Sequence, residues 1–505
     1  MNGMNSGREP VEPSRGDADL HQAEAIRLAS SGNLAEALKH FQAATKLRPD
    51  NPVWHFNCGL ALQQLAQLAN AIAAYRKAIA LKPDFFDAWS NLSAACKGAG
   101  DFDAAVEAGQ RAVALQPRSA GAHLNLGNAL KAQGAWAAAE STYRTAGNLD
   151  PANPRIQLNL ANMLREIGRI PEAVALLREA VVKSPRFAEA HRDLAFALLL
   201  SGDFIEGWME NEWRWETEEM ARGRRSFDRP AWSRQDLAGR RLFVYTEQGF
   251  GDAIQFVRYI ELAIQRGGEV VLECQPDLKR LFQTVKGVSQ LVVRGDPSPP
   301  FDFQAPLMSL PRILGTTLET IPNRVPYLAP LDEWAEPLPS PNGARLKVGL
   351  VWAGNPSHLN DRARSLPLEM LKPLFDLEAT AFYSLQVGER AHEIKRAGLL
   401  GKMAEVSSQR SDFASTAALL TQLDLVISVD TSVAHLAGAL AKPIWLLLPF
   451  APDWRWLLGR DDSPWYPTMR LFRQASPGDW PGVIREVHAR LRSLVASCSG
   501  EVPPA

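Results

Sequence analysis

Residues 430–435, Asp-Thr-Ser-Val-Ala-His, place a carboxylate, two hydroxyls and an imidazole within about one helical turn. They follow the β-branched run 425–429 and lead into a helix of small residues at 433–440, after which comes a second apolar run, 444–448. That order predicts strand, tight loop, helix, strand: a βαβ unit with its polar residues where the strand ends and the helix begins. The free N–H groups and positive dipole end of such a helix point into the crevice at the sheet's carboxyl edge, which suits an anion. Asp430, Thr431, Ser432 and His435 would face it. The same residues also suit an ordinary helix start, with Asp430 as N-cap and His435 at the surface.

Two further groups stand out by type and spacing. Trp454, Trp456, Trp465 and Tyr466 fall within thirteen residues, among Pro, Gly and Asp. They would form a flat wall for a nucleotide base or a sugar face, or else plug a gap between domains. Asn57, Asn91, Asn125 and Asn159 recur 34 residues apart, and Asn128 and Asn162 add a second row three residues on, hence on nearly the same helix face. Asparagine inside a helix costs roughly 0.5–0.7 kcal/mol relative to alanine, so its repetition points to a use. A carboxamide both donates and accepts, which suits an extended peptide backbone. The alternative is a repeat consensus in which Asn bonds neighbouring helices.

The elements that must carry these residues differ between the two halves. Pro49, Pro83, Pro117, Pro151 and Pro185 recur every 34 residues, and Ala37, Ala71, Ala105, Ala139 and Ala173 keep the same phase. Gly59 and Gly127, with Ala25 and Ala161, take the small position on the first helix of each copy. This is the tetratricopeptide (TPR) period: helix, turn, helix, small residues where helices cross closely, and Pro after the second helix. Five full copies and a degenerate sixth are expected over 18–216, ending in the aromatic cluster Trp208, Trp213 and Trp215 as a cap against the next domain. First helices line the concave groove of such a solenoid, so the asparagine rows belong there.

After a charged, irregular linker at 217–239, strands alternate with helices. Strands are expected at 241–246, 270–274 and 290–293, with helices from 250 to about 265 and through 285. Beyond a Pro-rich linker near 337–341 come strand 347–352, loop 353–365, helix 367–377, strand 382–386, helix 412–423, the βαβ unit, strand 469–472 and helix 479–494. This implies two Rossmann-like domains, 240–335 and 345–496, with doubly wound parallel sheets facing each other. Residues 1–17 and 497–505 read as disordered.

Composition narrows the function. The 505 residues carry a net charge of −1 with no basic run, which argues against nucleic-acid or anionic-membrane partners. Cys58, Cys96, Cys274 and Cys498 lie far apart without metal-ligand spacing and read as reduced thiols, so a cytoplasmic location is expected. The polar N-terminus lacks the apolar core of a signal peptide, and no apolar stretch approaches the ~20 residues needed to span a bilayer.

Taken together, the paired α/β halves, Gly251-Asp252 after the first strand and Asp430-Thr431-x-x-x-His435 near the end resemble heptosyltransferase-type glycosyltransferases of the GT-B fold, over roughly 242–494. The resemblance implies an all-α TPR solenoid followed by an α/β GT-B region. It also implies a metal-independent enzyme whose donor is a nucleotide-diphosphate sugar, with no further cofactor. Asp252 matches the general base, and Asp430, Thr431 and His435 match the loop that holds the diphosphate. The chain departs from the pattern at Ser432, where glycine is usual. Loop 353–365 offers Arg362 and Arg364 in place of a phosphate-binding lysine, with Arg364, just ahead of a helix, preferred. Glu247 and Gln248 lie beside Asp252 as candidate sugar contacts, as do Trp454 and Trp465 for sugar or base. The asparagine ladder is similar to that of TPR-bearing protein O-linked N-acetylglucosamine transferases. The acceptor is therefore expected to be a polypeptide or a glycan, brought directly or through a protein partner by the TPR groove. A non-enzymatic TPR scaffold with an inactive transferase-like half is the alternative outside enzymes.

Overall fold

The computed structural model describes residues 15–331, 337–339, 343–358, 360–406 and 412–498. Residues 1–14, part of the Pro-rich linker and residues 499–505 lie outside the described residues. Where the two expected disordered ends are described, they are helical: the first helix begins at Arg15 and the last runs to Cys498.

By packing, the chain divides into two compact units, residues 1–164 with 175–186, and residues 165–174 with 187–505. Among the described residues the helical array holds twelve helices in six helix–turn–helix pairs: α1 (Arg15–Ser30) and α2 (Leu34–Leu47), α3 (Pro52–Gln64) and α4 (Leu68–Leu81), α5 (Phe86–Ala99) and α6 (Phe102–Leu115), α7 (Ala120–Gln133) and α8 (Trp136–Leu149), α9 (Pro154–Glu166) and α10 (Ile170–Lys183), and α11 (Ala188–Ser201) and α12 (Phe204–Asn211). The sixth pair belongs to the second unit.

The 34-residue phase has visible causes. The turn inside each pair needs a left-handed residue, supplied by Gly32, Gly100, Gly134, Gly168 and Gly202 with φ between 80° and 88°. Ala66 fills the same position at φ 57°. Helices cross closely where small residues meet rings: a Cβ on Gly59 would lie 2.6 Å from the Tyr75 ring, and one on Gly127 would lie 2.7 Å from Tyr143. At the intervening copy the pair is inverted, with Ser93 on the first helix and Gly109 on the second. Three of the bends are also tied by a ring N–H. His55 Nε2, Trp89 Nε1 and His123 Nε2, 34 residues apart, lie 2.9, 2.8 and 3.0 Å from the carbonyls of Pro49, Pro83 and Pro117.

In the second unit, β1 (Arg241–Tyr245), β2 (Glu269–Cys274), β3 (Val288–Val293) and β4 (Phe303–Pro306) form a parallel sheet in the order β3-β2-β1-β4. A second parallel sheet joins β5 (Leu346–Val351), β6 (Thr380–Ser384), β7 (Met403–Glu405), β8 (Leu425–Val429), β9 (Ile444–Leu448) and β10 (Met469–Arg473) in the order β10-β9-β8-β5-β6-β7. The fold class expected from the sequence, a TPR solenoid followed by an α/β region, is the one observed. Strands β1, β2, β5, β8 and β9 are almost wholly buried, as strands covered on both faces must be. In the second sheet Val348, Leu350, Ile427 and Val429 pack with Leu447, Val483 and Val487.

Some elements differ from expectation for local reasons. Strands β4 and β7 are too short, at four and three residues, to show a period, and β4 ends on a proline. The helix expected at 250–265 is two, Phe250–Phe256 and Tyr259–Ile264. Segment 367–377 holds 3-10 turns over Leu368–Asp376, because Pro373 lacks the N–H that an α-helix needs there. The linker 217–239 folds onto the first sheet: Trp232 is 1% exposed and its backbone N–H donates to Gln304 O at 2.8 Å, while Phe227 packs on Phe243 and Tyr245.

Candidate functional site

Each sheet reverses its winding once, and at such a switch point the loops at the carboxyl ends of neighbouring strands open a crevice. In the first sheet the reversal lies between β1 and β4, so the loop after β1 lines it. In the second it lies between β5 and β8, where the loops 352–365 and 430–431 converge. Asp252, Arg364 and Asp430 all follow from these positions.

Gly249 is the N-cap of helix Phe250–Phe256, and Asp252 is its third residue, not its N-cap. Asp252 Oδ2 accepts the Gly249 N–H at 3.1 Å, and Oδ1 accepts Arg455 Nη2. Arg455 comes from the loop after β9. There Asp453 caps the 3-10 turn Trp454–Trp456 and takes the Arg455 N–H at 3.0 Å. The guanidinium also donates Nε to Gln255 Oε1 at 2.6 Å and Nη1 to Asp453 Oδ1 at 2.8 Å, and lies 4.4 Å from the Trp454 ring. Burial pushes the Asp252 carboxyl above the usual carboxylate range, against the pull of Arg455.

Facing this, helix Ser432–Ala439 starts from Thr431 as N-cap, with no side-chain capping bond. Asp430 is therefore not the cap; its Oδ2 accepts Trp456 Nε1 at 2.9 Å. Burial, with the Asp453 carboxylate nearby, pushes Asp430 upward. Thr431 Oγ1 lies 3.2 Å from Ser428 Oγ, and Ser432 is half-buried at the first turn. His435 is 5% exposed rather than at the surface: Nδ1 lies 2.9 Å from the Tyr466 hydroxyl, and the ring stacks 5.3 Å from Trp456. Burial, with Arg455, Arg258 and Arg364 around it, holds the imidazole well below its ordinary pKa, so the ring is neutral. The two helix starts touch at Gly251, where a Cβ would lie 3.0 Å from His435 Cδ2.

Of the two arginines in the middle loop, Arg364 is the inner one. It is 18% exposed, and its Nε lies 3.5 Å from Asp361 Oδ1. A Cβ on Gly354 would lie 2.6 Å from Arg364 Nη2, so only glycine lets the guanidinium lie against the loop backbone. Its charge reaches both Asp430 and His435. Arg362 is exposed.

Other candidates fall elsewhere. The Glu247 side chain is 2% exposed and turned inward onto Arg214, with Oε1 2.6 Å from Nη2, so it is not offered to a sugar. Burial pushes its carboxyl up to about 7. Gln248 accepts Gln275 Nε2 on its backbone oxygen at 2.8 Å. Trp454 and Trp465 are 6% and 0% exposed, so neither offers a free wall. They pack edge-on with Trp208 of α12 and with Phe256 instead, which is the domain plug. In the helical array Asn91 and Asn159 donate to the carbonyls of Asp87 and Arg155 in their own helices, both at 2.9 Å. Asn125 bonds Ser90 Oγ at 2.9 Å and Asn128 accepts the Tyr143 hydroxyl at 2.7 Å, while Asn57 and Asn162 are half-buried on the same helices. Sequence reasoning missed Arg455 and Asp453. The available signal was an arginine set between two tryptophans and preceded by an acid.

Among known proteins, family profiles described as TPR repeat match residues 27–66, and those described as tetratricopeptide repeat match 55–85, 97–164 and 132–192. The N-terminal region thus carries tetratricopeptide repeats. Protein FlbA of Caulobacter vibrioides is 30% identical over 369 residues, which is 66% of this chain. The chain spans 60% of the length of that relative. Similar solved structures include a thermophilic TPR protein of Thermus thermophilus (24% identity, TM-score 0.32, 36% of this chain and 99% of that one). Another is YrrB, a TPR protein with an unusual peptide-binding site (20% identity, TM-score 0.31, 36% of this chain and 93% of that one). Among the described residues no helix is long and apolar enough to cross a membrane.

Proposed function

We propose that the second unit is a glycosyltransferase that moves a sugar from a nucleotide-diphosphate donor to an acceptor hydroxyl with inversion, while the TPR array recruits the acceptor or a protein partner. One observation carries the reading. The loops at the switch points of two parallel sheets meet at Gly251 and His435, which brings Asp252 and the Asp430-Thr431-Ser432 helix start to one place. In the reaction the acceptor oxygen attacks the anomeric carbon, the bond to the diphosphate breaks, and the hydroxyl proton passes to Asp252. The departing diphosphate keeps the bonding electrons, and its charge meets the N–H groups of helix Ser432–Ala439 and the cation of Arg364. In the tautomer whose Nδ1 accepts from the Tyr466 hydroxyl, 2.9 Å away, His435 would add a neutral Nε2–H donor.

Because arginine and helix N–H groups supply the positive field, the enzyme is proposed to be metal-independent; the free Cys58, Cys96 and Cys274 are the ground for proposing a cytoplasmic location. A panel of nucleotide sugars tests the reading by hydrolysis, by transfer and by thermal stabilisation, each with and without EDTA. Stabilisation and turnover by at least one donor in EDTA are expected. No response to any donor would favour the non-enzymatic scaffold, and activity lost in EDTA would point to another transferase class. A polypeptide acceptor is the reading that the asparagine rows favour, because several carboxamides keep an acceptor oxygen beside their internal donor bond.

A further inference from the structure

Both oxygens of Asp252 are engaged. Oδ2 accepts the Gly249 N–H and Oδ1 accepts Arg455, and a cation held against the carboxylate lowers the proton affinity that a base needs to take a proton from an incoming hydroxyl. Arg455, for its part, is attached to Asp252 by a single Nη2–H, whereas Nε and Nη1 are anchored separately on Gln255 and Asp453. Because the guanidinium is a rigid plane, only a tilt about the line through Nε and Nη1 moves Nη2 off Asp252 while those two nitrogens stay near Gln255 and Asp453. Asp453, Asp252 and Asp430 all act on the cation, and Trp456 of the same turn is bonded to Asp430 at the helix start. An anion arriving there enters the reach of Arg455.

Resting on the glycosyltransferase reading, we propose that Arg455 is a donor-operated counter-ion: it holds down the proton affinity of Asp252 in the empty site, and the donor diphosphate draws it away so that the carboxylate gains the proton affinity of a general base only when donor is bound. Arg455 is thus a positioning residue acting through Asp252, and it suppresses idle chemistry before the donor arrives. Besides Arg455, the charged groups facing Asp252 are Asp453 and His358, with Glu247 close by on its own loop. His358 lies on the same loop as Arg364 and would itself respond to an arriving diphosphate, so the exchange is assigned to Asp252 by comparison with Asp252→Asn.

When Arg455 leaves, the carboxylate binds protons more readily, so diphosphate binding should be coupled to proton uptake. Calorimetry with UDP and with inorganic pyrophosphate, run near neutral pH in buffers of different ionisation enthalpy, counts these protons. The ligand's own proton exchange cancels on comparison with Asp252→Asn. The wild type should take up more protons than Asp252→Asn. Arg455→Lys should keep the uptake, and Arg455→Met should lose it and bind the diphosphate about 10–100-fold more weakly. Equal proton counts in wild type and Asp252→Asn would overturn the counter-ion proposal while leaving the transferase reading intact. Absence of any diphosphate binding to wild type would overturn both. Melting curves of the two Arg455 variants separate loss of fold from loss of linkage: a folded Arg455→Met with wild-type uptake also refutes the proposal.

Discussion

Asp252 combines two demands that oppose each other. Burial favours its neutral form, while Arg455 and the Gly249 N–H favour the carboxylate. Only the carboxylate can take a proton, and the folded-state pKa lies above the ordinary range. Turnover should therefore fall as pH drops through a value higher than that of an exposed aspartate. In Arg455→Met the stabilising charge is gone from the empty site, and the acid limb of kcat/KM for the donor, which reports the free enzyme, should move to still higher pH; a kcat/KM limb that stays or moves down would contradict the assignment. Asp252→Asn should cut turnover by roughly 10²-fold or more and leave nucleotide binding nearly unchanged. Wild-type transfer by that variant would remove Asp252 from the chemistry. Across the site, Thr431→Val and His435→Ala should each weaken nucleoside-diphosphate binding by about 1–3 kcal/mol, read by calorimetry.

Among elements, the repeat shows how one sequence position answers another. The 34-residue phase was legible because small residues and prolines recur, but its cause lies in pairs such as Gly59 with Tyr75 and Gly127 with Tyr143. Gly127→Ala pushes a methyl into the Tyr143 ring and should destabilise the array by about 1–3 kcal/mol in denaturant titration. Adding Tyr143→Leu should recover part of that loss, because the next copy already pairs Ala161 with Leu177 at the same positions. Ala66→Gly should act in the opposite sense, gaining roughly 0.5–1 kcal/mol by relieving a left-handed alanine. In the α/β unit, long buried strands such as β5 and β8 could be read from apolar runs, as could the strand–turn–helix around residues 430–435. Arg455 could not. Its role arises from contacts with Asp252 and Gln255, some 200 residues away in sequence, and no local period encodes such a pairing. The aromatics near it were legible as a cluster, but only packing with Trp208 and Phe256 decides that they plug instead of bind.

The whole molecule joins a repeat array to a chemical site, and the two can be tested apart. If the groove holds an extended polypeptide, the asparagine contacts repeat along it, each contributing about 0.5–1.5 kcal/mol. Asn91 and Asn159 spend one donor on their own helices and Asn125 spends one on Ser90, so each keeps an acceptor oxygen and a second N–H for an extended backbone. Replacing Asn91, Asn125 and Asn159 together by alanine should weaken binding of a long polypeptide by roughly 2–4 kcal/mol, provided that the three effects add. The array itself should hold, since alanine is the better helix residue and the pairs such as Gly127 with Tyr143 are untouched. Donor hydrolysis should also be unchanged, because Asp252 and Asp430 belong to the other compact unit. Comparing donor hydrolysis with transfer to cellular protein in this triple variant therefore isolates the array. Unchanged protein labelling would refute a peptide-holding ladder, and loss of helicity would show that the carboxamides serve the repeats themselves. If the wild type labels no polypeptide yet extends an oligosaccharide, the acceptor is a glycan and the array docks a partner.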